Sequence, residues 1–195
     1  MEKAISVTEE KRMNTSRAAI PLLWISIVAM VMVFGSLTSG YIVSRGNSNW
    51  MKFELPQLFY ISTAFILISS VTMNWALTSA RANNFKNIKI ASFLTLLLGL
   101  AFVVCQFKAW GYLVDQKIFF TGNTSSVSAS YLYVLTGLHM AHLAFGILAV
   151  LVVWVKALMN RYNSENLLGI RLCAIFWHFL DILWICLFLF LLFIR

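Results

Sequence analysis

Three histidines and one aspartate lie inside long apolar stretches, where ionisable side chains are rare. His178 and Asp181 fall in the stretch RLCAIFWHFLDILWICLFLFLLFIR, residues 171–195, and His139 and His142 fall in the apolar stretch before it. A carboxylate in hydrocarbon costs roughly 2.5–3.5 kcal/mol on insertion scales, so Asp181 needs compensation. Because His178 and Asp181 are three residues apart, they share a helix face, and we expect that face to point at protein.

His139 and His142 form a second pair with the same spacing, flanked by Gly137 and Gly146. They could bind a metal, although no carboxylate or third ligand accompanies them on this helix. They could bind haem, although two axial histidines must lie on opposite sides of the macrocycle. They could also be neutral, hydrogen-bonded packing histidines, which the spacing favours. The flanking glycines predict the close approach of a partner helix.

The depth of these groups predicts which of them meet. At 1.5 Å rise per residue, Asp181 lies about 15 Å above Arg171, and His142 lies about 21 Å above Lys156. If the last two apolar segments pack as antiparallel helices, Asp181 and His142 fall within about one turn of each other. We therefore predict a buried Asp181–His142 cluster that bridges the two helices.

Composition places these residues in a membrane protein. The 195 residues are 61% hydrophobic and only 11% charged, whereas a soluble domain is about a quarter charged. The formal charge is +8, but the basic residues flank apolar segments instead of forming a stripe, which argues against nucleic acid as a partner. The three cysteines lie within the apolar segments without metal-ligand spacing, so we interpret them as small apolar side chains; they are Cys105, Cys173 and Cys186.

Five apolar segments reach the ~20 residues needed to cross hydrocarbon; they are residues 21–43, 57–79, 88–113, 130–157 and 170–194. Such segments must be helices, since they lack the alternation of barrel strands. The sequence therefore predicts an all-α fold, with a single five-helix transmembrane domain over residues 20–195. Residues 1–19 form a polar cytoplasmic tail without the pattern of a secretory signal.

The distribution of Lys and Arg predicts the orientation. Ten of them lie on the side of the amino-terminal tail and the second and fourth connections, and four lie on the other side. Because cytoplasmic loops are enriched in these residues, the amino terminus is predicted in the cytoplasm and the carboxyl terminus outside.

Polar residues elsewhere receive simpler interpretations. Glu54 precedes Pro56 at the start of the second helix, where it is either an interfacial cap at the positive helix end or a functional carboxylate. The hydroxyl residues of the second helix are predicted to bond their own backbone or neighbouring helices. The first helix carries a small-residue seam for helix packing, made of Gly35, Ser36, Ser39 and Gly40.

Taken in order, these motifs resemble subunit III of haem–copper terminal oxidases. Gly137, His139, His142 and Gly146 match one motif on the fourth helix, and a second motif on the fifth helix comprises Trp177, His178, Asp181 and Trp184. The Glu54–Pro56 entry, the serine-rich second helix and Gln106 are similar to that family too. The resemblance covers roughly residues 20–195.

Two features depart from the pattern. Many family members have seven helices, so this chain resembles the shorter bacterial form, and the lipid-filled cleft beside the two missing helices cannot be carried over. The family often has a carboxylate three residues after Gln106, where this chain has Ala109.

The resemblance implies a non-catalytic subunit of a proton-pumping oxidase in the bacterial inner membrane. Haems and copper would belong to subunits I and II, and this chain would stabilise subunit I and support proton uptake. It would contact subunit II, small subunits, membrane phospholipid and, in a supercomplex, a quinol-oxidising complex. Cytochrome c is the expected electron donor, with quinol as the alternative. We expect structural, proton-related or lipid-related roles for six residues, namely Glu54, His139, His142, Trp177, His178 and Asp181.

Two rival functions remain open from the sequence. A small cytochrome b-type electron carrier would use His139, His142 and His178 to hold haem. A transporter would place polar groups near the midplane, but the internal repeats and broken helices of many such folds are missing from the sequence.

Overall fold

A computed structural model describes residues 2–46, 56–121, 126–159, 162 and 167–194, with side chains from residue 18 onward within these ranges. Its five helices are α1 (Glu2–Ser44), α2 (Leu58–Arg81), α3 (Phe85–Asp115), α4 (Val127–Leu158) and α5 (Leu168–Phe193). Each contains a segment long and apolar enough to cross a membrane, and the described ranges contain no strand. The prediction of an all-α membrane fold is confirmed.

The first helix is longer than the apolar segment that predicted it. α1 begins at Glu2 and continues through Pro21, and its membrane-spanning part is Ala18–Ser44. The polar tail is therefore helical and continuous with the first span. The orientation of the two ends in the membrane stays a prediction.

Helices α2 to α5 form a closed four-helix bundle. Around the ring, α2 contacts α3, α3 contacts α4, α4 contacts α5, and α5 contacts α2. The backbones of the diagonal pairs, α2/α4 and α3/α5, are not in contact within these described helices. α1 lies outside this ring and packs on α4 and α5. The space between the diagonal helices must therefore be filled by side chains.

Tryptophan and phenylalanine fill that centre, and two glycines make room for them. A Cβ at Gly99 of α3 would lie 2.8 Å from Cη2 of Trp177, and a Cβ at Gly146 of α4 would lie 2.9 Å from Cδ1 of Leu180. Real Cβ atoms do not approach so closely, so a Cβ at Gly99 would displace the rigid Trp177 ring, whereas a Cβ at Gly146 would displace the flexible end of Leu180. Trp177 is consequently 0% exposed.

Side-chain caps begin α3 and α4. Oδ1 of Asn84 accepts a hydrogen bond from the backbone N–H of Asn87 at the start of α3. Oγ of Ser126 accepts one from the N–H of Ala129 at the start of α4. Each cap satisfies a donor that the first helical turn leaves free.

Candidate functional site

The inward face of α5 carries three buried side chains at i, i+4 and i+7. Trp177, Asp181 and Trp184 are 0%, 2% and 1% exposed, respectively. The indole N–H of Trp177 donates to Oγ of Ser69 at 3.0 Å, and that of Trp184 donates to Oγ1 of Thr63 at 3.0 Å. Both tryptophans are therefore anchored to α2 by hydrogen bonds.

The hydroxyl groups of α2 also bind three other side chains. Oγ of Ser70 lies 2.7 Å from Nδ1 of His178. Nε2 of Gln106 on α3 donates to Oγ of Ser62 at 3.1 Å, and the hydroxyls of Thr72 and Thr95 lie 2.8 Å apart. The predicted interhelical bonding of the serine-rich helix is confirmed.

Asp181 faces protein, as predicted for its helix face, but the predicted pair with His142 is wrong. Neither carboxyl oxygen of Asp181 makes a hydrogen bond within the described part of the chain. The Ser70 hydroxyl lies close enough to be a hydrogen-bonding neighbour of this carboxyl group, although its 2.7 Å contact is with Nδ1 of His178. Nδ1 of His142 instead lies 2.8 Å from the backbone oxygen of Leu138 in its own helix.

His139 and His142 point into different surroundings. His139 is 0% exposed in the bundle centre, where its ring centroid lies 5.1 Å from that of Trp184 and 6.1 Å from that of Phe102. His142 is half-buried beside α1, with its ring centroid 5.8 Å from that of Phe34. Interpretation as hydrogen-bonded packing histidines holds for His142 but not for His139, whose two nitrogens have no hydrogen-bond partner among the described side chains.

The three histidines thus occupy three environments: the bundle centre, the α1 side and the α2 contact. No group of three or more His, Cys, Asp or Glu side chains converges within the described residues. The cysteines are free; Cys173 is buried, Cys105 is half-buried and Cys186 is exposed. Glu54, the remaining candidate, lies outside the described residues.

The close helix contacts predicted at the small residues are found at some of them and not at others. Gly146 is in tight contact with α5, whereas a Cβ at Gly137 would meet only Trp110, at 4.0 Å. In the α1 seam, a Cβ at Gly40 would lie 3.0 Å from the hydroxyl of Tyr131 on α4. Gly35, Ser36 and Ser39 are exposed. Among the described residues, the predicted seam is therefore used only at Gly40, near the carboxyl end of α1.

An apolar groove of about 780 Å³ opens between α1, α4 and α5. Its lining includes Met30, His142, Phe145, Cys173 and Phe176, with Lys156 and Tyr162 where α4 ends. Tyr162 lies between the two membrane-spanning helices and is 3% exposed. Burial, followed by the influence of Cys173, raises the pKa of the Tyr162 phenol to about 12.

Sequence reasoning did not find the tryptophan–hydroxyl bonds. A signal was present, because a buried indole N–H requires an acceptor, and α2 offers hydroxyls at Thr63 and Ser69. Pairing each indole with its hydroxyl also requires the relative axial positions of α2 and α5, which the sequence does not show.

The chain is similar to known oxidase subunits. The family model described as Cytochrome c oxidase subunit III matches residues 42–194. Cytochrome c oxidase subunit 3 of Alkalihalophilus pseudofirmus is 33% identical, over 67% of this chain and 63% of the relative. Cytochrome bo(3) ubiquinol oxidase subunit 3 of Pseudomonas aeruginosa is 31% identical, over 85% and 79%. Quinol oxidase subunit 3 of Bacillus subtilis is 30% identical, over 92% and 88%.

Proposed function

The chain belongs to the cytochrome c oxidase subunit III family of haem–copper terminal oxidases, and on that premise we propose that it is a non-catalytic subunit that stabilises subunit I. As a family member it is a multi-pass protein of the bacterial inner membrane and part of a respiratory oxidase complex. We propose that it binds the metal-bearing subunit as a rigid helical bundle and that it supports proton uptake during turnover.

The divergence of the three histidines carries the non-catalytic assignment. Bis-histidine haem ligation requires two imidazoles facing each other across the macrocycle, but His139, His142 and His178 face three separate surroundings. This donor set argues against the cytochrome b-type carrier. We accordingly assign the haems and copper ions to subunits I and II.

Co-purification tests the assignment. An affinity tag on this chain should recover subunits I and II and a haem spectrum in mild detergent, whereas the separated chain should show no Soret band. Deleting the chain should leave initial O₂ reduction intact but shorten the number of turnovers before activity is lost. A Soret band in the separated chain, or recovery without any haem protein, would contradict the proposal.

For the electron donor we propose cytochrome c, with quinol as the alternative. The name of the family model and the A. pseudofirmus relative support cytochrome c, whereas the P. aeruginosa and B. subtilis relatives are named as quinol oxidase subunits. The purified complex should oxidise reduced cytochrome c faster than a quinol. The reverse preference would establish the alternative, and the same preparation would reveal any associated quinol-oxidising complex.

We also propose that a phospholipid acyl chain occupies the groove between α1, α4 and α5. The groove is apolar along its length and has the Lys156 ammonium where α4 ends, suited to a phosphate. Val152→Trp would fill the groove and should lower the phospholipid that co-purifies per complex. Leu151→Trp, on the neighbouring residue outside the groove, is the matched control; equal lipid in both variants would refute the site.

A further inference from the structure

Five buried polar atoms in the α2–α5 bundle have no hydrogen-bond partner among the described residues. They are Oε1 of Gln106, both ring nitrogens of His139 and both carboxyl oxygens of Asp181. These residues are at most 2% exposed. Buried polar atoms are nearly always hydrogen-bonded, and leaving one unpaired destabilises the fold. Five of them in one bundle call for a partner.

The atoms come from three helices, and their residues contact the Phe102 or Trp184 ring or lie one helical turn from it. Asp181 lies one turn from Trp184 on the inward face of α5, and the His139 ring of α4 packs on Trp184. The same His139 ring contacts Phe102 of α3, and Gln106 lies one turn beyond Phe102. Phe102 and Trp184 meet edge to face with ring centroids 4.9 Å apart. The three polar side chains are therefore buried beside the same two aromatic rings, out of contact with lipid.

Within the described ranges, Asp181 has no buried Lys or Arg to compensate it. The buried polar and charged residues of the described chain include no Lys or Arg. The ionisable groups of the bundle near Asp181 are His139 on α4 and His178 on α5. The neutral polar groups are Ser70 on α2 and Gln106 on α3. An uncompensated carboxylate would cost several kcal/mol. A neutral carboxyl group avoids that cost and can both donate and accept hydrogen bonds.

We propose that internal water occupies the centre of the α2–α5 bundle and joins Asp181, as a neutral carboxylic acid, to His139. Buried water typically makes two to four hydrogen bonds to polar groups that lack other partners, and the five atoms are enough to provide these bonds. The Asp181 hydroxyl donates to water, the water donates to a ring nitrogen of His139, and Oε1 of Gln106 accepts at the outer end. The site holds one proton on a carboxyl group inside the membrane.

Isotope-edited infrared spectroscopy of the intact oxidase complex tests this site. The native complex should show the C=O stretch of a protonated carboxyl group, which shifts in D₂O and is lost in Asp181→Asn. It should also show an O–H stretch of internal water that shifts in H₂¹⁸O and is altered in the same variant. Asp115→Asn, the same change at the exposed end of α3, is the matched control and should leave both bands in place.

Two outcomes would overturn the proposal. One is retention of all protonated-carboxyl and internal-water bands in Asp181→Asn. The other is a high-resolution density map of the native complex in which Asp181 bonds His139 directly with no water between them. The ¹⁸O shift and the map need no variant, so they decide the question even if Asp181→Asn fails to assemble. Neither readout depends on the electron donor or on the role of this chain in turnover.

Discussion

Replacing Thr63 with valine removes the acceptor that anchors Trp184 to α2. Oγ1 of Thr63 receives the indole N–H of Trp184 at 3.0 Å and itself donates to the backbone oxygen of Phe59 at 2.7 Å. Valine keeps the shape of threonine but offers no acceptor. The indole N–H of a tryptophan that is 1% exposed would then be buried without a partner.

The expected loss is about 1–1.5 kcal/mol of unfolding free energy. An unsatisfied buried donor costs about 1–3 kcal/mol, but interhelical hydrogen bonds in membranes average about 0.6 kcal/mol and reach about 1.7. The upper part of the membrane range applies, because Trp184 is 1% exposed and Thr63 is the acceptor that its indole N–H has among the described residues. This loss corresponds to a roughly five- to twelve-fold shift in the unfolding equilibrium.

Reversible unfolding of the full chain in mixed micelles, followed by tryptophan fluorescence, measures this change. Thr78→Val is the matched control, because Thr78 lies on the same helix, is exposed and bonds only its own backbone at Asn74 and Trp75. The control should cost less than about 0.5 kcal/mol.

A double-mutant cycle isolates the hydrogen bond from the other effects of the substitution. In a Trp184→Phe background the indole donor is gone, so Thr63→Val should cost no more than the control. If Thr63→Val costs the same with Trp184 as with phenylalanine, the hydrogen bond does not stabilise the bundle and the reasoning fails.

Three further predictions concern the glycine that packs against Trp177, the buried phenol of Tyr162 and the helix cap at Ser126. Gly99→Ala should lower the unfolding free energy by about 1–3 kcal/mol through its clash with Trp177, whereas Gly111→Ala, with nothing within 4 Å of its Cβ, should not; equal effects on thermal melting would contradict this. The neutral Tyr162 phenol should stabilise the fold fully below the unfolded pKa of about 10, and this contribution should disappear as pH rises through its folded pKa of about 12. In a pH titration followed by tyrosinate absorbance, the ionisation step at the highest pH should therefore be absent from Tyr162→Phe. If that step remains in the variant, the assignment is refuted. Ser126→Ala removes the α4 cap and should cost about 1 kcal/mol by denaturant titration; an unchanged midpoint would show that the cap is dispensable.

The helices could be predicted from sequence because each apolar segment is long enough to have only one solution in hydrocarbon. The inward face of α5 could be predicted too, since Asp181 is too costly to expose to lipid. The depth of each side chain along its helix could also be predicted, because the rise per residue is constant.

The partner of Asp181 could not be predicted, because depth does not determine direction around the helix axis. His139 and His142 are separated by about 60° around α4 at 3.6 residues per turn. α4 contacts α3, α5 and α1, so this angle suffices to turn His139 into the centre and His142 toward α1. Which helices surround α4 is a tertiary property that no local pattern in this chain encodes.

The position of α1 outside the ring bears on how the protein is made. α1 leaves the ribosome before the other four described helices, yet its only helix partners within the described chain are α4 and α5, the later pair in the chain order. About 115 residues separate the end of α1 from the end of α4, which takes roughly 6–23 s at bacterial elongation rates. Within this subunit, α1 can therefore reach its packed position only after the two helices that it contacts have been made.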